Sequence, residues 1–110
     1  MTTSDTVPRI IQRYFELASS QDNEAYLALF TADALVEDEG REYAGINAVQ
    51  GWRSRVPVVE HTITDVEPAD EGLIVTCTIT GDFPGSPLAG LRFHFQEFDE
   101  NHVKVLRIRP

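Results

Sequence analysis

The stretch "GLIVTCTITGDFPGSPLAGLRFHFQEF", residues 72–98, decides the fold. On either side of its Gly- and Pro-rich middle, "LIVTCTIT" and "LRFHFQEF" are built of β-branched and aromatic residues with a period of two, the spacing of a pleated strand. The same signature precedes it in "EHTITDVEP" and follows it in "HVKVLRIR", with the turn-like "ADEG" and "DEN" as separators. Everything after Pro57 therefore reads as a meander of four strands.

Upstream the period changes to three and four. Ile10, Ile11, Tyr14, Phe15 and Ala18 fall on one face of a first helix, with Pro8 in its opening turn and Asp5 or Thr6 as its cap. Asp22 caps a second, shorter helix in "NEAYLALF", where Ala25, Tyr26, Leu29 and Phe30 share a face. "ALVED" is a strand and "REYAG" its return partner, with Gly40 in the turn, and the pair joins the later sheet. "INAVQGWRSR" is a third helix with Ile46, Val49, Trp52 and Arg53 on one face. Helices first and strands after make an α+β layout.

The 110 residues, 42% hydrophobic and 25% charged, suit a single domain over residues 1–110 with one core. With 18 acids against 9 bases the chain carries a net charge of -9, which repels phosphate backbones and anionic headgroups, so neither nucleic acid nor a membrane surface is an expected partner. No apolar run approaches the ~20 residues that span a bilayer, and the first residues lack a signal peptide's basic start and apolar centre. Cys77 is the only cysteine, which excludes an intrachain disulfide and is read as a small buried hydrophobe. A cytoplasmic location is expected.

The chemistry turns on "ALVEDEG", residues 34–40. Alternation puts Val36 and Asp38 on one face and Leu35 and Glu37 on the other, so if Val36 points inward Asp38 does too. Asp38 is then either a solvated strand end or a carboxylate at the mouth of a pocket. The loop "GDFPGSPLAG" is longer than a tight hairpin needs. It is either a wide surface loop or a flap over that mouth with Phe83 or Leu88 at its tip.

These residues resemble a known family. "RYFELASSQDNEAYLALFTADALVED" is similar to the opening of ketosteroid isomerases, and the whole chain looks like the nuclear transport factor 2-like superfamily, including the SnoaL-like polyketide cyclases. The resemblance implies a cone: three N-terminal helices packed in a strongly curved, mostly antiparallel sheet, a cystatin-like roll with an internal pocket. It implies a general-base aspartate at Asp38, an oxyanion-hole tyrosine at Tyr14, and the second oxyanion donor at His94, where the isomerases have an aspartate. A small hydrophobic carbonyl compound is the implied ligand, with Phe30, Val36, Trp52, Phe83 and Gln96 as candidate wall residues, and isomerase- or cyclase-type acid–base chemistry without a cofactor is the implied reaction. The alternatives are a noncatalytic binder of a small hydrophobic ligand and a dimeric structural domain whose pocket is filled.

Two readings of "LRFHFQEF" compete. Alternation alone sends Phe93 and Phe95 to the core and His94 to solvent with Arg92 and Gln96. The family register reverses this, turning His94 inward and leaving an apolar row on the outer sheet face for a homodimer to cover. His61, His94 and His102 lack paired spacing, so no metal site is expected.

Overall fold

The computed structural model of the chain describes residues 7–110. Three helices, α1 (Arg9–Ala18), α2 (Asn23–Leu27) and α3 (Ile46–Arg55), pack inside a curved, unclosed sheet of six strands: β1 (Phe30–Asp38), β2 (Arg41–Ala44), β3 (Glu60–Pro68), β4 (Leu73–Thr80), β5 (Leu88–Phe98) and β6 (Val103–Arg109). The strand order is β2-β1-β6-β5-β4-β3. Only β1 and β6 run parallel; every other pair is antiparallel.

Each helix forms for a local reason. Pro8 precedes α1, and its carbonyl accepts from the amides of Ile11 and Gln12, while the proposed caps Asp5 and Thr6 lie outside the described residues. Asp22 caps α2 as its sequence implies, its carboxylate accepting from the Ala25 amide at 3.1 Å. The second helix is shorter than its apolar spacing suggested. Phe30 opens β1 instead, because the Leu29 carbonyl accepts from the Val103 amide at 2.7 Å and draws the chain into parallel pairing with β6. At the other end of β1, Glu39 and Gly40 both take positive φ, 54° and 77°, and form a two-residue hairpin loop that matches the sheet's twist.

The core is an aromatic cluster between α1 and the sheet. Tyr14 and Phe15 present their rings to Phe93 and Phe95 in tilted or edge-on pairs with centroids 5.1 to 6.3 Å apart. Phe93 and Phe95 are 3% and 0% exposed. That burial settles the register: plain alternation holds, and the apolar row required by the alternative is absent from the outer face. Two phenylalanines gain far more by leaving water than one histidine could by entering the cone.

The outer face is polar instead. Glu37 accepts from Arg107 Nη1 at 2.6 Å and from Arg109 Nε and Nη2 at 2.9 and 3.0 Å. Hydrogen bonds first from Arg109 and then from Arg107 hold its carboxyl down at about 2. A carboxylate depressed in the folded state stabilises the fold above its ordinary pKa and loses that contribution as pH falls through the depressed value. Urea unfolding should therefore give a stability that declines between about pH 5 and pH 2, and Glu37→Gln should flatten part of that slope; an unchanged slope would remove Glu37 from the acid response.

Candidate active site

The inner surface of the cone encloses a cavity of about 470 Å³, within the range of small-molecule sites. Its walls are mostly apolar, with Phe93 and Ile108 from the sheet, Val56 and Pro57 after α3, Phe83 from the loop joining β4 to β5, and Leu88 at the start of β5. The loop proper is shorter than its composition suggested, since β5 already begins at Leu88, paired with Ile79 past a register shift. Phe83 and Leu88 nevertheless both reach the cavity, and Leu88 remains 45% exposed there.

Asp38 lines this cavity at the end of β1. Its Oδ2 accepts from the Trp52 indole at 3.1 Å, so α3 fixes the carboxylate's orientation. Burial pushes its pKa up, the indole hydrogen bond opposes this, and the like charge of Glu39 pushes it further up. Glu39 lies on the rim beside it, in the left-handed conformation that the hairpin requires.

Across the cavity wall two tyrosines meet. Tyr14 and Tyr26 place their hydroxyls 3.0 Å apart, and both residues line the cavity. Two hydroxyls own two protons; one is spent between them, which leaves one for a ligand oxygen. Burial raises both pKa values, and the charge of Asp38 raises them further, so both hydroxyls stay protonated donors at neutral pH. Beside them Arg53, which also lines the cavity, holds its guanidinium 4.3 Å above the Tyr26 ring and partly offsets the rise.

Of the candidate catalytic and wall residues, Asp38, Tyr14, Trp52 and Phe83 meet at the cavity. The others do not. Phe30 and Val36 are buried in the core behind the wall. Gln96 is on the outer face, its Oε1 accepting from Arg107 Nε at 3.0 Å. His94 is also on the outer face, so its placement beside Asp38 is corrected: its Nε2 donates to the Glu71 carbonyl at 2.7 Å. Gly72, which follows, approaches the Phe95 backbone so closely that a Cβ would sit 1.8 Å from its carbonyl oxygen.

Three cavity residues escaped the sequence reading. Tyr26 is spaced on its helix as an ordinary core residue, and nothing in that spacing distinguishes a hydroxyl aimed at a neighbour. Glu39 was hidden as one acid in an acidic run. His61 did leave a signal, since alternation places it with Ile63 on the inner face of β3. Cys77 is a buried thiol, with its pKa pushed up to about 12 by burial, and takes no part in the site. Among the described residues no group of His, Cys, Asp and Glu side chains is placed to hold a metal ion.

This topology, three helices inside a curved six-stranded sheet, is the ketosteroid isomerase-like, nuclear transport factor 2-like fold. The chain belongs to the SnoaL-like domain family, whose model matches residues 11–109. It is similar, at 28% identity and a TM-score of 0.84 over 98% of this chain and 100% of the other, to a candidate polyketide cyclase from Sinorhizobium meliloti. A protein with a ketosteroid isomerase-like fold from Catenulispora acidiphila, solved with trimethylamine, shares 18% identity over 94% of this chain and 86% of its own, with a TM-score of 0.75. A computationally designed 17-OHP binder shares the fold at 15% identity over 92% and 89% of the two chains, with a TM-score of 0.73. No curated protein matches the sequence. Among the described residues no helix is long and apolar enough to cross a membrane.

Proposed function

We propose that the protein is an acid–base enzyme of the isomerase or cyclase type, acting on a small, largely apolar carbonyl compound held in the cone. The observation that carries this reading is Asp38: a carboxylate with a raised pKa, oriented by an indole, at the edge of an apolar cavity that also contains a spare tyrosine proton. Asp38 is the general base. It takes a proton from the carbon next to the carbonyl, the C–H electron pair becomes the C=C bond of an enolate, and the carbonyl electrons move to oxygen. The Tyr14–Tyr26 pair donates to that oxygen as its charge develops. Where a β,γ double bond extends the enolate to a dienolate, return of the proton from Asp38 to the γ carbon completes an isomerisation; attack of the enolate carbon on a second carbonyl forms a C–C bond, its π electrons pass to oxygen, and the proton from Asp38 on that oxygen completes a cyclisation.

Family membership and the likeness to the candidate polyketide cyclase support this choice of chemistry. The solved relatives that hold or were designed to bind small molecules support the use of the cavity as a binding site. The test is hydrogen exchange in D₂O, followed by NMR, on a panel of cyclic ketones and 1,3-diketones. Catalysed deuteration at the carbon next to the carbonyl is the expected result. Binding without exchange across the panel would instead identify a noncatalytic binder.

A further inference from the structure

His61 is a polar group in the cavity wall that the proposed chemistry does not use. It points inward from β3, with its ring 5.5 Å from Phe15 and 5.6 Å from Phe93, both tilted or edge-on. Its Nδ1 lies 2.9 Å from Ser19 Oγ at the end of α1. Burial first, and the Arg53 charge second, hold its pKa down at about 4, so the ring is neutral at pH 7. Nε2 is its remaining polar atom. Among the described residues the only sealed side-chain polar atom without a partner is Thr31 Oγ1, so Nε2 is accessible on a residue that lines the cavity.

The sheet separates this nitrogen from the Asp38 end. Asp38 pairs with Ile108 on β6, Ile108 pairs with Phe93 on β5, and the His61 ring packs beyond Phe93. Two polar ends are thus joined by an apolar floor. We infer that His61 Nε2 is a second ligand anchor, so that the ligand is an apolar body with two neutral oxygen functions: one at Asp38 and the tyrosines, the other, a hydroxyl or ketone, at His61. A hydroxyl exchanges a single hydrogen bond with a neutral imidazole in either tautomer, whereas a ketone accepts from the tautomer that carries the proton on Nε2. It offers no charge to a carboxylate, and the guanidinium of Arg53, the cation that also lines the cavity, is already engaged by Asn23 Oδ1 and the Ala18, Leu17 and Ser20 carbonyls. This inference rests on reading the cavity as a ligand site and does not require that the ligand be turned over.

Two matched probes test it by calorimetry at pH 7: 2-naphthol, an enol-like ring with one hydroxyl, and 2,6-dihydroxynaphthalene, which adds a hydroxyl at the far end. The second should bind the unmodified protein about 3- to 10-fold more tightly, the range of one neutral hydrogen bond. That gain should vanish in His61→Leu and return in part in His61→Gln, whose amide can reach the same position. A gain that survives in both variants, or no gain in the unmodified protein while 2-naphthol binds, overturns the second anchor and leaves the pocket reading standing. If neither probe binds, both fall together. Should His61→Leu fail to fold by circular dichroism, His61→Phe takes its place: loss of the gain there supports the anchor, and its survival overturns it.

Discussion

Asp38→Asn should reduce catalysed deuterium exchange by about 10²- to 10⁴-fold, the usual contribution of a positioned general base. The substitution is a clean one because an asparagine Oδ1 can still accept from the Trp52 indole, which preserves the 3.1 Å contact that holds α3 to the strand end. It removes the basic lone pair and little else. The pH profile of the unmodified protein gives a second check. A base must be deprotonated to act, so the rate should fall on the acid side through a pKa above that of an ordinary aspartate, in the direction that burial and Glu39 impose. Glu39→Gln removes the like charge and should move that acid limb to lower pH without abolishing turnover.

The same shift has a stability consequence of opposite sign to that of Glu37. A carboxyl whose pKa is raised on folding ionises first in the unfolded chain, so above its folded pKa it favours unfolding, and below its unfolded pKa the cost disappears. Asp38→Asn should therefore be at least as stable as the unmodified protein at pH 7, with the difference closing in acid. Lost turnover together with retained or increased stability would mark a residue kept for chemistry. If turnover survives, Asp38 is not the base.

Much of this architecture is legible in the sequence because its signals are periodic. The bounds of α3 and β3 follow from spacing and Pro57, and the inward turn of Asp38 follows from its distance to Val36. What alternation could not supply was the choice between two faces of β5. There the analogy with ketosteroid isomerases pointed His94 inward, and the packing of Phe93 and Phe95 against Tyr14 and Phe15 turned it out. Local apolar contrast was the better guide, because it measures the burial energy that decides the register. Contacts distant in sequence left little trace. Tyr14 and Tyr26 are joined by one hydrogen bond between two helices, and no spacing rule announces it.

Arg53→Met should lower stability by about 3 kcal/mol, a thermal shift of roughly 10 to 20 °C for a domain of this size. Arg53 is 5% exposed and forms no ion pair with a carboxylate among the described residues. Its guanidinium donates instead to oxygens left over where α1 ends: Ala18 at 3.2 Å, Leu17 at 3.4 Å and Ser20 at 2.9 Å, with Nε donating to Asn23 Oδ1 at 3.0 Å. These carbonyls form the negative end of the helix dipole, which is why a cation can be buried there without an acidic partner. Methionine fills the volume of the stem but donates nothing, leaving several buried acceptors unpaired. Arg53→Lys keeps the charge without the planar fork and should fall between the two. A melting temperature within a few degrees of the original would show that the carbonyls find water or other donors. The variant also separates two roles for the arginine. As a counter-ion that neutralises Asp38 for passive binding, its removal would displace the acid limb of the exchange profile; as the clasp of α1 and the cation above the Tyr26 ring, it should leave that limb in place and weaken the tyrosine donors. The Asp38 pKa is raised by burial and by Glu39, so the second outcome is expected.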